Sequence, residues 1–174
     1  LLIVLSRRVL ESAREMDASV WRKNSTDRYE VLGKRLGVLG LGRIGRQVAQ
    51  LAHGLGMDVV FYDTSEISRE VGLAMGYHLA TSKEELFRLS NFVSVHVSAT
   101  DAQGRSNRGL VTREDLSAFA SDAKVGPRIF INLARGFIVD PDVLIDAVKA
   151  GDLRYAMTDV FPEEPRASST SSWL

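Results

Sequence analysis

The stretch Gly40-Leu41-Gly42-Arg43-Ile44-Gly45 decides how this chain is read. It follows the apolar run Leu36 to Leu39. It opens a segment of helical period in which Ile44, Val48, Leu51, Ala52 and Leu55 mark one face and Gly56 marks the end. A second apolar run, Val59 to Tyr62, then delivers an acid, Asp63. Strand, glycine turn, helix, strand and acid, in that order, make a dinucleotide-binding fingerprint. Gly40 permits the tight turn, Gly42 lets a diphosphate approach the backbone, and Gly45 lets the helix pack on the strand. The helix N-terminus offers free N–H groups and a positive dipole end to the diphosphate, and Asp63 accepts hydrogen bonds from the adenosine ribose. A glycine-rich turn that holds no ligand is the alternative reading of the same residues.

The pattern repeats outward from this point. Further runs rich in β-branched residues lie at Phe92 to Val97, Ile129 to Leu133 and Tyr155 to Val160, with segments of helical period between most of them. Asp140-Pro141 is a cap with proline in the first turn; Leu144, Ile145, Val148 and Lys149 follow it, and Gly151 closes that helix. Strands alternating with helices imply parallel pairing through right-handed crossovers. The expected fold is therefore α/β: a Rossmann-type doubly wound parallel sheet with helices on both faces, forming one domain over residues 1–174. Leu2, Leu5, Val9, Ala13 and Met16 share a face of one helix over residues 1–17, and residues 166–174 read as a polar tail. Ser98 to Arg108 reads as a long polar loop.

Composition removes several functional classes. Lys plus Arg and Asp plus Glu number 22 each, so the chain carries no overall basic field for nucleic acid. It has no cysteine, which excludes thiolate metal sites and cysteine nucleophiles. The three histidines, His53, His78 and His96, lack metal-ligand spacing, so no metal is expected. No apolar run approaches the length of a membrane span. A soluble cytoplasmic domain is the expectation.

Two more constellations sit where strands should end. In Ile131-Asn132-Leu133-Ala134-Arg135-Gly136, a buried strand runs into an arginine and a glycine. Ligands of open α/β sheets bind beyond the carboxyl ends of the strands, which places Arg135 to meet an anionic or carbonyl substrate. A surface arginine in a loop ion pair fits that position equally well. Asp159-Val160-Phe161-Pro162-Glu163-Glu164-Pro165 puts acids beside the same edge, and solvated loop acids are the ordinary reading of such a segment.

Taken in order, the glycine fingerprint, Phe92-Val93-Ser94-Val95-His96-Val97, Ile131 to Asp140 and Asp159 to Pro165 resemble the cofactor domain of the D-isomer-specific 2-hydroxyacid dehydrogenases. The stretch from Val20-Trp21-Arg22-Lys23 through Gly33-Lys34-Arg35-Leu36-Gly37 is most similar to the D-3-phosphoglycerate dehydrogenase branch, which serves serine biosynthesis. The resemblance implies NAD as cofactor, with Arg43 and Ile44 at the diphosphate and Asp63 at the ribose. His96, Val97, Ser98, Leu133, Ala134, Arg135 and Asp159 would line the nicotinamide side. It makes Arg135 the catalytic arginine that holds the substrate carboxylate and polarises its carbonyl. Glu164 would be the acid that pairs with a catalytic histidine in a downstream Pro-His segment, and none of His53, His78 and His96 stands in that place. His53 reads as a helix-surface residue, His78 as part of a short strand, and His96 as a cofactor contact rather than an acid.

Ser98 stands where the family usually has proline, and Thr100 to Gly109 and Ala120 to Gly126 are longer than usual. The resemblance further implies that the chain is a piece of a two-domain enzyme, with residues 1–17 ending the helix that links the domains. Its partners would be a small 2-hydroxyacid substrate and a second copy of the chain, with Leu1 to Leu5 buried in the homodimer. As a piece, it is expected to bind cofactor without turning over substrate. A dinucleotide-sensing regulatory protein on the same scaffold, or an adenosyl-cofactor enzyme with a similar glycine loop, are the other functions such a sequence supports.

Overall fold

A computed structural model describes residues 1–22, 27–119 and 126–163. Six strands run parallel in one sheet: β1 (Arg35–Leu39), β2 (Asp58–Tyr62), β3 (His78–Leu79), β4 (Phe92–Val95), β5 (Ile129–Asn132) and β6 (Tyr155–Thr158). Their order across the sheet is β3-β2-β1-β4-β5-β6, so the winding reverses between β1 and β4. The crossovers are α3 (Arg43–Gly54), α4 (Glu66–Ala74), α5 (Lys83–Leu89), α6 (Arg113–Ala118) and α7 (Pro141–Lys149), preceded by α1 (Leu2–Ser6) and α2 (Val9–Asp17). The doubly wound sheet expected from the alternating pattern is what forms. No helix among the described residues is long and apolar enough to cross a membrane.

The core has two halves, one on each face of the sheet. Leu36, Val38, Phe61, Phe92 and Ile131 pack with Ala49 and Ala52 of α3 and with Leu2 and Leu5 of α1. On the other face Leu39, Val60, Val93, Val95 and Phe130 pack with Leu86 and Phe87 of α5, Leu116 of α6, and Leu144 and Ala147 of α7. Phe87 lies at the centre of the second half, 6.2 Å from the stacked ring of Phe130 and 5.7 Å from the edge-on ring of Phe119. Helix boundaries follow local chemistry. Asp140 caps α7 by accepting the Asp142 N–H, Pro141 occupies the first turn, and Gly56 and Gly151 take positive φ where α3 and α7 stop.

Two expectations are corrected. Residues 1–17 do not form one helix: the chain breaks between α1 and α2, where Arg8 adopts φ +53° and sends its guanidinium to Asp27. Leu2 and Leu5 pack on the domain, whereas Val9 and Met16 of the expected stripe are exposed. The face of α3 also differs. It buries Gly45, Ala49 and Ala52, and leaves Ile44, Leu51 and Leu55 in solvent. The cause is steric, because a helix lying this close to the sheet accepts only small residues on the contact face. A Cβ on Gly45 would stand 2.1 Å from the Gly40 carbonyl oxygen. The polar loop after β4 is ordered by Asp101, whose carboxylate accepts the N–H groups of Gln103 and Arg105.

Phe87 is fully buried against the rings of Phe119 and Phe130, so its truncation opens a cavity in the core. Phe87→Ala is expected to cost about 3–5 kcal/mol in denaturant unfolding, with an unchanged m-value.

Candidate functional site

Register brings the functional residues to one edge. Leu39 pairs with Tyr62 on one side and Val95 on the other, Val95 pairs with Asn132, and Asn132 pairs with Thr158. The next residue of each strand is therefore Gly40, Asp63, His96, Leu133 or Asp159, five positions in line at the carboxyl edge. Three strands stop short of the sequence expectation, at Val95, Asn132 and Thr158, because the chain leaves the ladder there to build the edge loops.

The glycine loop is held from both sides. Gly40 takes φ +93°, and its N–H donates to the Tyr62 carbonyl at 2.9 Å. The Leu41 N–H donates to Asp63 Oδ2 at 2.7 Å, and the Ser65 N–H to Asp63 Oδ1 at 2.8 Å. Asp63 thus clamps the loop before any ligand arrives. Each carboxylate oxygen keeps a second lone pair for a ribose hydroxyl. At Gly42 an added Cβ would meet nothing within 4 Å, so the backbone faces open space where a diphosphate would lie. Side chains cap α4, α5, α6 and α7, but α3 has none, which leaves its first-turn N–H groups free. Arg43 and Ile44 are exposed beside them. These features fit the dinucleotide named by the sequence.

His96 follows β4 and packs against the loop, its backbone 3.0 Å from where a Gly40 Cβ would sit. Its Nε2 shares a hydrogen bond of 2.9 Å with the Ser94 hydroxyl. Burial pushes its pKa down to about 4, so the ring is neutral at physiological pH. That fits a contact rather than a proton donor. Val97 is half-buried beside it, and Ser98 is exposed, its hydroxyl donating to the Thr100 carbonyl. His53 lies exposed on α3, and His78 lies on the short strand β3, 2 residues long.

Beyond β5 the chain turns on Asn132, a residue whose role the sequence reading missed. Asn132 is fully buried; its Oδ1 accepts the Ala134 N–H at 3.1 Å and its Nδ2 donates to the Arg135 carbonyl at 2.9 Å. Arg135 Nη1 donates to the Ala134 carbonyl at 2.7 Å. The same short turn therefore fixes both ends of the arginine. The guanidinium is exposed and makes no ion pair with any described carboxylate. The signal for Asn132 was present: it is the polar residue ending an otherwise apolar buried run, Ile129-Phe130-Ile131.

Gly136 brings in the third constellation. A Cβ there would fall 2.0 Å from the Phe161 carbonyl carbon, so the loop after β6 lies directly against the arginine turn. The Asp159 N–H donates to the Asn132 carbonyl at 3.2 Å, and its exposed side chain stands at the same edge as the exposed Leu133 and buried Ala134. Glu164 and the tail at 166–174 lie outside the described residues, as does most of the Ala120 to Gly126 stretch.

Two measurements check this geometry. Asp63→Ala removes the acceptor of two backbone N–H groups, and it is expected to weaken NADH binding in calorimetry by about tenfold or more. His96 is held neutral in the folded chain and titrates near its ordinary value of 6.5 when unfolded, so the unfolded chain binds the extra proton between those values. Folding stability is then full above about pH 6.5 and declines as pH falls towards about 4, and His96→Gln should flatten that decline in urea titrations.

The family model for the D-isomer specific 2-hydroxyacid dehydrogenase NAD binding domain matches residues 1–173. A D-3-phosphoglycerate dehydrogenase of Haemophilus influenzae is 38% identical over 94% of this chain and 37% of its own length. One from Methanocaldococcus jannaschii is 34% identical over 95% of this chain and 30% of its own. The solved phosphoglycerate oxidoreductase of Vibrio cholerae superposes with a TM-score of 0.80 at 31% identity, covering 95% of this chain and 50% of that one. The chain thus spans about a third of the length of these curated relatives. With residues 1–173 matched and the glycine loop, Asp63 and the arginine turn on one sheet edge, the chain belongs to the D-isomer-specific 2-hydroxyacid dehydrogenase family, of which it is an NAD-binding domain.

Proposed function

We propose that the full protein oxidises a D-2-hydroxyacid with NAD, that 3-phosphoglycerate is the substrate, and that Arg135 is the catalytic arginine of this chain. The observation that carries the reading is the state of Arg135: an exposed guanidinium, oriented by the Asn132 turn and unpaired with any described acid, on the edge that holds the glycine loop. A planar fork of N–H donors suits a carboxylate bidentately and stabilises charge developing on an adjacent oxygen. NAD supplies the hydride acceptor when bound. The chain's own residues do the rest of the positioning. Arg43, Ile44 and the free N–H groups of α3 take the diphosphate, and Asp63 takes the ribose. Val97, Leu133 and Ala134 offer an apolar wall to the nicotinamide side, with His96, Ser98 and Asp159 beside it. The neutral His96 does not move the proton. That task falls to a histidine of the full protein paired with Glu164, whose negative charge raises the pKa of the ring.

Asp63 also argues for NAD over NADP, because a 2′-phosphate would meet a like charge and Glu66 adds a second acid nearby. NADH is expected to bind at least about tenfold tighter than NADPH in calorimetry. We place this activity in the cytoplasm, in a homodimer. Leu1, Ile3, Val9, Leu10 and Met16 are exposed on or beside α1 and α2, and Ile44, Leu51 and Leu55 on or beside α3, apolar side chains that a second copy would cover. Sedimentation at tens of micromolar is expected to give a dimer mass, and a monomer mass contradicts the homodimer.

The decisive experiment compares steady-state rates in the full protein. Arg135→Ala is expected to lower kcat/KM for 3-phosphoglycerate by about 10²–10³ while leaving NADH affinity within about twofold. Asn132→Ala should give a smaller loss of the same kind. Unchanged kcat/KM in Arg135→Ala removes the arginine from its role.

A further inference from the structure

At the end of the sheet opposite the glycine loop, where β5 and β6 begin, a cavity of about 390 Å3 opens among Tyr29, Gly126, Arg128, Gly151, Arg154 and Tyr155. None of these residues takes part in the dinucleotide edge. Arg154 forms one wall. Its guanidinium carbon lies 5.9 Å from the Tyr29 ring and 5.7 Å from the Tyr155 ring, and Nη2 donates to Asp27 at 2.9 Å. Its Nε is buried with no hydrogen-bond partner among the described residues. Arg128 is exposed and its side chain meets no acid or carbonyl among the described residues, although its backbone carbonyl accepts the Arg154 N–H at 2.8 Å.

Among the described residues the charges around the cavity are unbalanced. Asp27 is shared between Arg154 and Arg8, and Glu11 is engaged by Arg8 at 3.8 Å and by the Tyr155 hydroxyl. Two arginines, two phenol rings and glycine backbone thus border a space in which no described carboxylate is free to answer Arg128. A buried guanidinium N–H without an acceptor is costly, and guanidinium forks match phosphate oxygens.

We propose that this cavity binds a small phosphate-bearing ligand, held by Arg128 and Arg154 between the rings of Tyr29 and Tyr155. The site lies across the sheet from the cofactor edge, so its ligand does not compete with the dinucleotide. Because Asp27 joins Arg154 to Arg8 at the break between α1 and α2, occupancy bears on how those helices are held.

The test is a titration of 15N-labelled full protein, or of this chain, with inorganic phosphate and, separately, with glycerol 3-phosphate, using glycerol as the uncharged control. With the glycine loop first saturated with NADH, both phosphates are expected to shift the amides of Arg128, Gly151, Arg154 and Tyr155 along saturating curves. Arg128→Ala should weaken that binding about tenfold without changing the melting temperature, since the Arg128 side chain has no partner among the described residues to lose. Arg154→Gln should abolish it. If that variant unfolds, Arg128→Ala still decides. Tighter binding of glycerol 3-phosphate assigns an organic phosphate, and equal binding assigns phosphate itself. Shifts that do not saturate, or that survive Arg128→Ala unchanged, overturn the proposal.

Discussion

Helix α3 presses its first turn against the end of β1 so closely that a single added methyl at Gly45 would collide with the Gly40 carbonyl, and the rest of the site depends on that approach. It aims the uncapped helix N-terminus at the crevice between β1 and β4, the point where the crossovers change faces. It also dictates small residues, Ala49 and Ala52, along the contact face. Asp63 then locks the loop from the neighbouring strand through the Leu41 N–H. The parallel register does the remainder, because aligned strand ends carry His96, the arginine turn and Asp159 to the same edge.

The charges on this edge are treated differently from those elsewhere. Away from it, Lys83 is paired with Asp115 at 2.7 Å and Arg113 with Asp152 at 2.5 Å, fixing the loop before α6 and the turn after α7. At the edge, the Arg135 guanidinium meets only the Ala134 carbonyl among the described residues, and no described carboxylate answers Arg43. Exposed ion pairs contribute at most about 1 kcal/mol, so leaving an arginine unpaired costs the fold little. On the proposed function it keeps a strong binder of anions available where a substrate or diphosphate would arrive.

Much of this was legible in the sequence for local reasons. Five apolar runs, the glycine spacing, Asp63 after β2, and the Asp140-Pro141 cap are all set by residues within a few positions of one another. What escaped depends on contacts between distant residues. The buried face of α3 follows from how near the sheet lies, which its own periodicity does not reveal, so Ile44, Leu51 and Leu55 look like core and are not. The break at Arg8 answers to Asp27, nineteen residues on. Asn132 is the last residue of β5, and its part in shaping the arginine turn lies in two hydrogen bonds that a strand pattern does not report. The neutrality of His96 comes from burial, which motif spacing does not report.

The central claim is that the strand ends from Gly40 to Arg135 form one dinucleotide and substrate edge organised by the approach of α3. A crystal structure of the chain with NADH tests it most directly. The account predicts the diphosphate within hydrogen-bond distance of the Arg43 and Ile44 N–H groups, the adenosine ribose on Asp63, and the nicotinamide between Val97 and Arg135. A dinucleotide lying elsewhere on the sheet, or a ribose that makes no contact with Asp63, would contradict it.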